Sequence, residues 1–224
     1  MIEELSSYFD HALLSPEATE SDIGRLCREA REYKMYGIAI NPYWVNFAKK
    51  ELAETEVKII SVAGFPLSAV RTDVKVAEAV KGIEDGADEI DMVANIGLLA
   101  MGEFKKAEDD ISEVRKHLPN DIILKVIIEA PKLYEGSQVE ATKAIINAGA
   151  QFVKTCTGFF GGATVSMVHR LCDAADGKIK VKASGGIKSL ADAETLIRAG
   201  AERLGSSSSA VILEEYKTIM KSKR

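Results

Sequence analysis

Two lysines stand near the ends of two segments that read as neighbouring parallel strands, Phe152-Val153-Lys154-Thr155 and Ile179-Lys180-Val181-Lys182-Ala183-Ser184, and the second runs straight into Gly185-Gly186. Both segments are otherwise buried in character, and an ammonium group rarely enters a protein interior without a chemical task or a carboxylate partner. Two cations facing one cavity depress each other's pKa, which frees an amine to attack a carbonyl near neutral pH. The chemistry this suggests is a Schiff base. Asp10, Asp91 and Glu129 fall in the middle or toward the ends of three other strand-like segments, so their convergence with Lys154 and Lys182 would place several carboxylates beside the two amines. Each lysine taken alone has a second reading, as half of a buried ion pair or as a snorkelling side chain. Lys125 and Lys180 sit deeper and read as structural, while Lys58, near the start of its strand, reads as solvated.

Anion binding has its own candidates. Gly185-Gly186-Ile187-Lys188 precedes a helix beginning near Ser189, and Gly205-Ser206-Ser207-Ser208-Ser209 precedes the final helix. Glycines allow close backbone approach, helix N-termini present free N–H groups, and serines add hydroxyl donors. Either loop alone also fits an ordinary cap or turn; two on adjacent strands favour a phosphate. The Gly158-Phe159-Phe160-Gly161-Gly162 loop could cradle phosphate or simply turn the chain. Metal chemistry is poorly supported, because His11, His117 and His169 show no ligand spacing. Cys156 has no histidine nearby in sequence to activate it and reads as packing. No glycine spacing matches a dinucleotide fingerprint, so no cofactor is expected.

The elements that must position these residues alternate along the chain. Strand candidates run over Tyr8 to Leu13, Tyr36 to Asn41, Val57 to Ala63, Asp88 to Asn95, Ile122 to Glu129, Phe152 to Thr155, Ile179 to Ser184 and Arg203 to Ser206. Between the first two, Ile23, Leu26, Cys27 and Ala30 make the stripe of an amphipathic helix over Ser21 to Tyr33, with Glu20, Ser21 and Asp22 as its polar start. Later helical stretches cover roughly Val70 to Asp85, Glu103 to His117, Ser137 to Ala148, Ser166 to Ala175, Leu190 to Ala199 and Val211 to Met220, and Gly86, Gly149 and Gly200 fall where helices should stop. Eight such units can close into a barrel or stay an open doubly wound sheet. Parity favours the barrel. Lys125, Ile127 and Glu129 oppose Leu124, Val126 and Ile128; Lys180, Lys182 and Ser184 oppose Ile179, Val181 and Ala183; Glu89, Asp91, Val93 and Asn95 oppose Ile90 and Met92. An open sheet covered on both faces would be apolar on both parities. The expectation is an α/β fold, one single-domain (β/α)8 TIM barrel over residues 1–224 with its site at the C-terminal ends of the strands.

Composition narrows the partners. A net charge of -5 without a basic cluster argues against nucleic acid, and no apolar run approaches the length that spans a bilayer. Lys217, Lys221, Lys223 and Arg224 read as a solvated helix end. Cys27, Cys156 and Cys172 lack metal or redox spacing and no segment resembles a signal peptide, so a cytoplasmic protein in a reducing compartment is expected.

Taken together, these motifs resemble the deoxyribose-phosphate aldolases. The matching segments run nearly end to end: Asp10-His11-Ala12-Leu13-Leu14, Asn41-Pro42, Gly64-Phe65-Pro66-Leu67, Glu89-Ile90-Asp91-Met92-Val93, Leu124-Lys125-Val126-Ile127-Ile128-Glu129, Phe152-Val153-Lys154-Thr155 and Val181-Lys182-Ala183-Ser184-Gly185-Gly186. The resemblance implies a class I aldolase that reversibly cleaves 2-deoxy-D-ribose 5-phosphate to acetaldehyde and D-glyceraldehyde 3-phosphate. It implies that Lys154 forms the Schiff base, that Lys182 lowers its pKa and that Asp91 joins the proton transfers. Asp10 and Thr157 would lie around the substrate, with the phosphate held by Gly158, Gly185, Gly186, Lys188, Gly205, Ser207 and Ser208. The partner implied is a small phosphorylated sugar, with assembly into a homo-oligomer left open. Phe159 stands where some members carry a phosphate-binding lysine, Ala39 replaces a frequent cysteine, and Lys223-Arg224 stand in place of a tail tyrosine. The rivals are a sugar-phosphate isomerase using Asp91 or Glu129 as a base without a covalent intermediate, and a non-catalytic phosphosugar-binding barrel.

Overall fold

Eight parallel strands close on themselves in chain order, with the first paired to the last. The computed structural model describes residues 4–222; Lys223 and Arg224, which the sequence places in a solvated helix end, lie outside the described residues. The strands are β1 Phe9–Leu13, β2 Gly37–Ile40, β3 Lys58–Ala63 and β4 Glu89–Val93, followed by β5 Ile123–Ile127, β6 Phe152–Lys154, β7 Lys180–Ser184 and β8 Arg203–Ser206. The first half of the helical layer holds α1 Glu20–Glu32, α2 Val45–Glu51, α3 Thr72–Glu84, α4 Ile96–Ala100 and α5 Phe104–Lys116. The second half holds α6 Glu135–Asn147, α7 Val165–Ala175, α8 Leu190–Arg198 and α9 Ser209–Ser222. Among the described residues no helix is long and apolar enough to cross a membrane.

Parity sorts the strand residues as a closed barrel requires. Ile90, Met92, Leu124, Val126, Val153, Val181 and Ala183 join the apolar layer packed against the helices. Their neighbours of opposite parity, Asp91, Lys125, Lys154 and Lys182, are equally buried but belong to the interior. Register then fixes who faces whom: Asp91 pairs with Lys125, Lys154 with Lys182, and Asp10 with Gly205. Thus the two lysines singled out by type do lie side by side.

Local chemistry sets the helix limits. Thr19, one residue before the expected polar start, caps α1: its hydroxyl accepts from Asp22 N at 3.3 Å while its N–H reaches the Asp22 carboxylate at 3.1 Å. Gly86, Gly149 and Gly200 follow their helices with φ of 111°, 79° and 107°. Two short helices, α2 and α4, had no counterpart in the sequence reading, because seven and five residues are too few to display a helical period. Two lysine placements also differ. Lys180 is not deep but stands at the exposed start of β7 with Glu202 at 3.3 Å, and Lys58 is half-buried rather than solvated.

Candidate active site

Charge fills the middle of the barrel. Asp91, fully buried on β4, holds Lys125 through Oδ1 at 2.8 Å, and through Oδ2 holds both Lys154 at 2.8 Å and Lys182 at 2.7 Å. Lys182 also donates to Asp10, whose other oxygen accepts from Arg203 at 3.0 Å. Beneath them Lys125 reaches Glu89 at 2.5 Å, and Glu89 accepts the Tyr36 hydroxyl. Four cations, Lys125, Lys154, Lys182 and Arg203, therefore share three carboxylates, Asp10, Glu89 and Asp91. One positive charge is in surplus, so this cluster favours the loss of a proton from an amine.

The electrostatics agree in direction. Burial would raise the Asp91 carboxyl, but Lys125, Lys154 and Lys182 outweigh it and hold the group well below the usual carboxylate range. Asp10 is likewise lowered, with Lys182 and Arg203 overcoming burial. Lys125 keeps its proton: burial is overcome by Asp91, Glu89 and Asp10, and its pKa is raised. Lys182 goes the other way and is pushed down to about 8, chiefly by burial and further by Lys154 and Lys125, against the pull of Asp10 and Asp91. The Cys156 thiol is pushed up to about 11 by burial, and it donates to Ser184 O at 2.8 Å, as a packing residue would.

A cavity of about 310 Å³ opens above the cluster at the C-terminal ends of the strands, with both Lys154 and Lys182 at its floor. Lys182 has no exposed surface and Lys154 retains 3%, so Lys154 is the amine a substrate can reach. The loop after β6 lines one wall with Thr157, Gly158 and Phe159. Gly185 and Gly186 after β7, both at positive φ, continue that wall, a Cβ on Gly185 standing 3.1 Å from Gly158 Cα, and Gly205 on β8 and Ser207 just after it also line the cavity, with Lys188 at the rim. Gly205 is dictated by its neighbours, because a Cβ there would stand 2.9 Å from Ser184 Cβ and 3.3 Å from Lys182 Cε. A substrate with a carbonyl at one end and an anion at the other fits this arrangement.

Several expected residues take different places. Asp10 does not line the cavity; it stands behind Lys182 and fixes that amine. Ser208 opens the last helix, its N–H on Ser206 Oγ at 2.9 Å and its carbonyl on Ile212 N at 3.0 Å, instead of facing the cavity. The start of α8 is not free for an anion, since the Asp192 carboxylate accepts from Lys188 N at 3.1 Å and Ser189 N at 3.0 Å. Arg203 and Tyr36 were missed. Arg203 could have been found by extending the parity argument to β8, where it shares a face with Gly205. His11, as a lone histidine suggests, is tied to Glu29 at 2.8 Å.

A closed (β/α)8 barrel with paired lysines beneath a C-terminal cavity defines a barrel enzyme whose chemistry centres on an amine. Residues 5–209 match the DeoC/LacD family of aldolases, and the chain belongs to that family. A relative named deoxyribose-phosphate aldolase, from Caldanaerobacter subterraneus subsp. tengcongensis, is 44% identical over 216 residues, covering 95% of this chain and 94% of its own. The solved structure of an aldolase called QR15 is 37% identical and superimposes with a TM-score of 0.95 over 100% of both chains. A deoxyribose phosphate aldolase from Aeropyrum pernix, described as having a unique tetrameric structure, is 34% identical with a TM-score of 0.88, covering 96% of this chain and 92% of that one. The protein is thus an aldolase, a carbon–carbon lyase.

Proposed function

We propose that this aldolase cleaves 2-deoxy-D-ribose 5-phosphate to acetaldehyde and D-glyceraldehyde 3-phosphate through an imine on Lys154. The observation that carries the reading is the single Asp91 oxygen shared by Lys154 and Lys182 at the floor of the cavity. Neutral Lys154 attacks the aldehyde carbon of the open-chain sugar, and loss of water gives the protonated imine. The hydroxyl on the second carbon from the imine carbon releases its proton and becomes the new aldehyde oxygen, the bond from its carbon to the carbon next to the imine breaks, and the imine takes up that electron pair as an enamine. Glyceraldehyde 3-phosphate leaves. The enamine then takes a proton on carbon, and hydrolysis frees acetaldehyde. Asp91 and Lys182 form the route by which protons reach and leave the reacting amine. Gly158, Gly185, Gly186, Gly205 and Ser207, with Lys188 at the rim, supply the N–H groups and side-chain donors for the phosphate.

Acetaldehyde with borohydride tests this directly. One reduced ethyl group should be added and map to Lys154; an adduct mapping only to Lys182 would reverse the roles, and no adduct would remove the covalent mechanism. The same reading places the protein in the cytoplasm, where its free thiols Cys27, Cys156 and Cys172 stay reduced, and includes a homo-oligomer like the Aeropyrum pernix enzyme, to be measured by light scattering.

A further inference from the structure

Glu129, immediately beyond β5, has the marks of a functional residue that the mechanism above does not use. Its side chain is fully buried, and its backbone adopts φ 49° and ψ 55°, a left-handed conformation that side chains other than glycine's disfavour. The ladder on either side enforces that conformation: Ile128 N donates to Lys154 O at 3.1 Å, and Ala130 N to Thr155 O at 2.8 Å. The carboxylate then reaches the loop after β6. Its Oε2 accepts both the Thr157 N–H at 3.0 Å and the Thr157 hydroxyl at 2.6 Å. Thr157 Oγ1 in turn accepts from Phe159 N at 3.1 Å. The other carboxylate oxygen, Oε1, is buried with no hydrogen-bond partner among the described residues. Burying a carboxylate with half its acceptor capacity unused is costly, and a fold keeps such a group where its geometry is needed.

We infer that Glu129 is a positioning residue for the aldol reaction, a buried clasp that holds the Thr157–Phe159 wall in the place that receives the phosphorylated half of the substrate. The inference rests on the proposed site for that substrate. Thr157, Gly158 and Phe159 line the cavity and begin three residues after Lys154, so loosening Thr157 moves the wall without moving the amine. The two loops meet a second time, since a Cβ on Gly161 would stand 3.0 Å from Pro131. An amide can replace the carboxylate in this task, because its oxygen accepts two hydrogen bonds.

The test compares Glu129→Gln, Glu129→Leu and Thr157→Val by hydrogen exchange at the Thr157 amide in the free protein and by cleavage of 2-deoxyribose 5-phosphate. Glu129→Leu and Thr157→Val should raise KM roughly 10-fold or more while changing kcat less than about 3-fold, and the double variant should be no worse than Glu129→Leu alone. Glu129→Gln should keep KM within about 3-fold of the unmodified protein, because it retains the hydrogen bonds. Thr157 amide protection should fall in Glu129→Leu and persist in Glu129→Gln. Borohydride trapping of acetaldehyde should be unaffected in all three. An unchanged KM in Glu129→Leu, equal damage in Glu129→Gln and Glu129→Leu, or multiplying losses in the double variant would overturn the clasp. If Glu129→Leu does not fold, an unchanged KM in folded Thr157→Val overturns it as well. Failure of trapping in the unmodified protein would strike the imine on Lys154 and leave the clasp to stand or fall on amide protection.

Discussion

Asp91 divides its work between two oxygens. Oδ1 is committed to Lys125, which stays protonated, while Oδ2 serves two amines of different access. Replacing Lys182 with Leu removes the cation that competes for Oδ2 and leaves Lys154 alone with a carboxylate. We expect kcat to fall at least about 100-fold, and the pH–rate profile of the residual activity to shift alkaline. Near-normal turnover at neutral pH would rule out this role. Asp91→Asn should leave imine trapping detectable while slowing cleavage, because the carboxylate is proposed to move protons rather than to bind the substrate. Equal loss of both in a folded variant would make Asp91 an organiser of the site. Lys154, Lys182 and Asp91 were legible because charges on apolar strands stand out. The place of Asp10 behind Lys182 was not, since parity gives a face but no depth, and depth depends on the register between β1 and β8.

Among the elements, β8 shows how a strand makes room for chemistry. Gly205 lets the Lys182 side chain pass, and Gly205→Ala should destabilise the fold by about 1–3 kcal/mol through overpacking against Ser184 and Lys182. Its remaining activity should be lower still than the loss of folded protein explains, because Lys182 would be displaced. A fully active variant with unchanged thermal unfolding would show that the neighbours can yield. Strand limits could be read to within two residues, because short apolar segments alternate with helical patterns along the whole chain. Glu129 was legible only as a charge on the inward parity: its left-handed backbone, and with it the clasp on Thr157, comes from the ladder to β6 and leaves no mark in composition. The free N–H groups expected before α8 failed for a readable reason. Ser189 followed three residues later by Asp192 is a capping box, and it occupies the helix start.

At the scale of the whole molecule, the proposed site joins an amine to an anion cradle, so 2-deoxyribose 5-phosphate should be cleaved far more efficiently than 2-deoxyribose. Ser207→Asp should raise KM for the phosphorylated sugar and spare the free one; equal reactivity of the two sugars in the unmodified protein would remove the phosphate site. The buried charges also set acid stability. Asp10 and Asp91 have folded pKa values below their unfolded ones, so their contribution is complete above the ordinary carboxylate range and is lost as pH falls through the folded values. In urea titrations, the stability gap between the unmodified protein and Asp91→Asn should hold from pH 7 down to about 4 and narrow only below it. A gap already closing at pH 5 would show that Asp91 is not held low. Lys182, with a folded value of about 8, adds stability as pH rises from there toward about 10.

The pairs from Asp10 to Lys182 and Arg203 span 172 and 193 residues of chain. During synthesis the first strand therefore leaves the ribosome with a carboxylate whose countercharges do not yet exist. Most of the barrel's staves can gather earlier, but the seam between β1 and β8 and the neutralisation of its charge arrive together, at the end. Such distant contacts favour late closure over stepwise growth. A nascent chain stalled before Lys182 should accordingly remain protease-sensitive around Asp10, and one extended past Ser206 should become resistant.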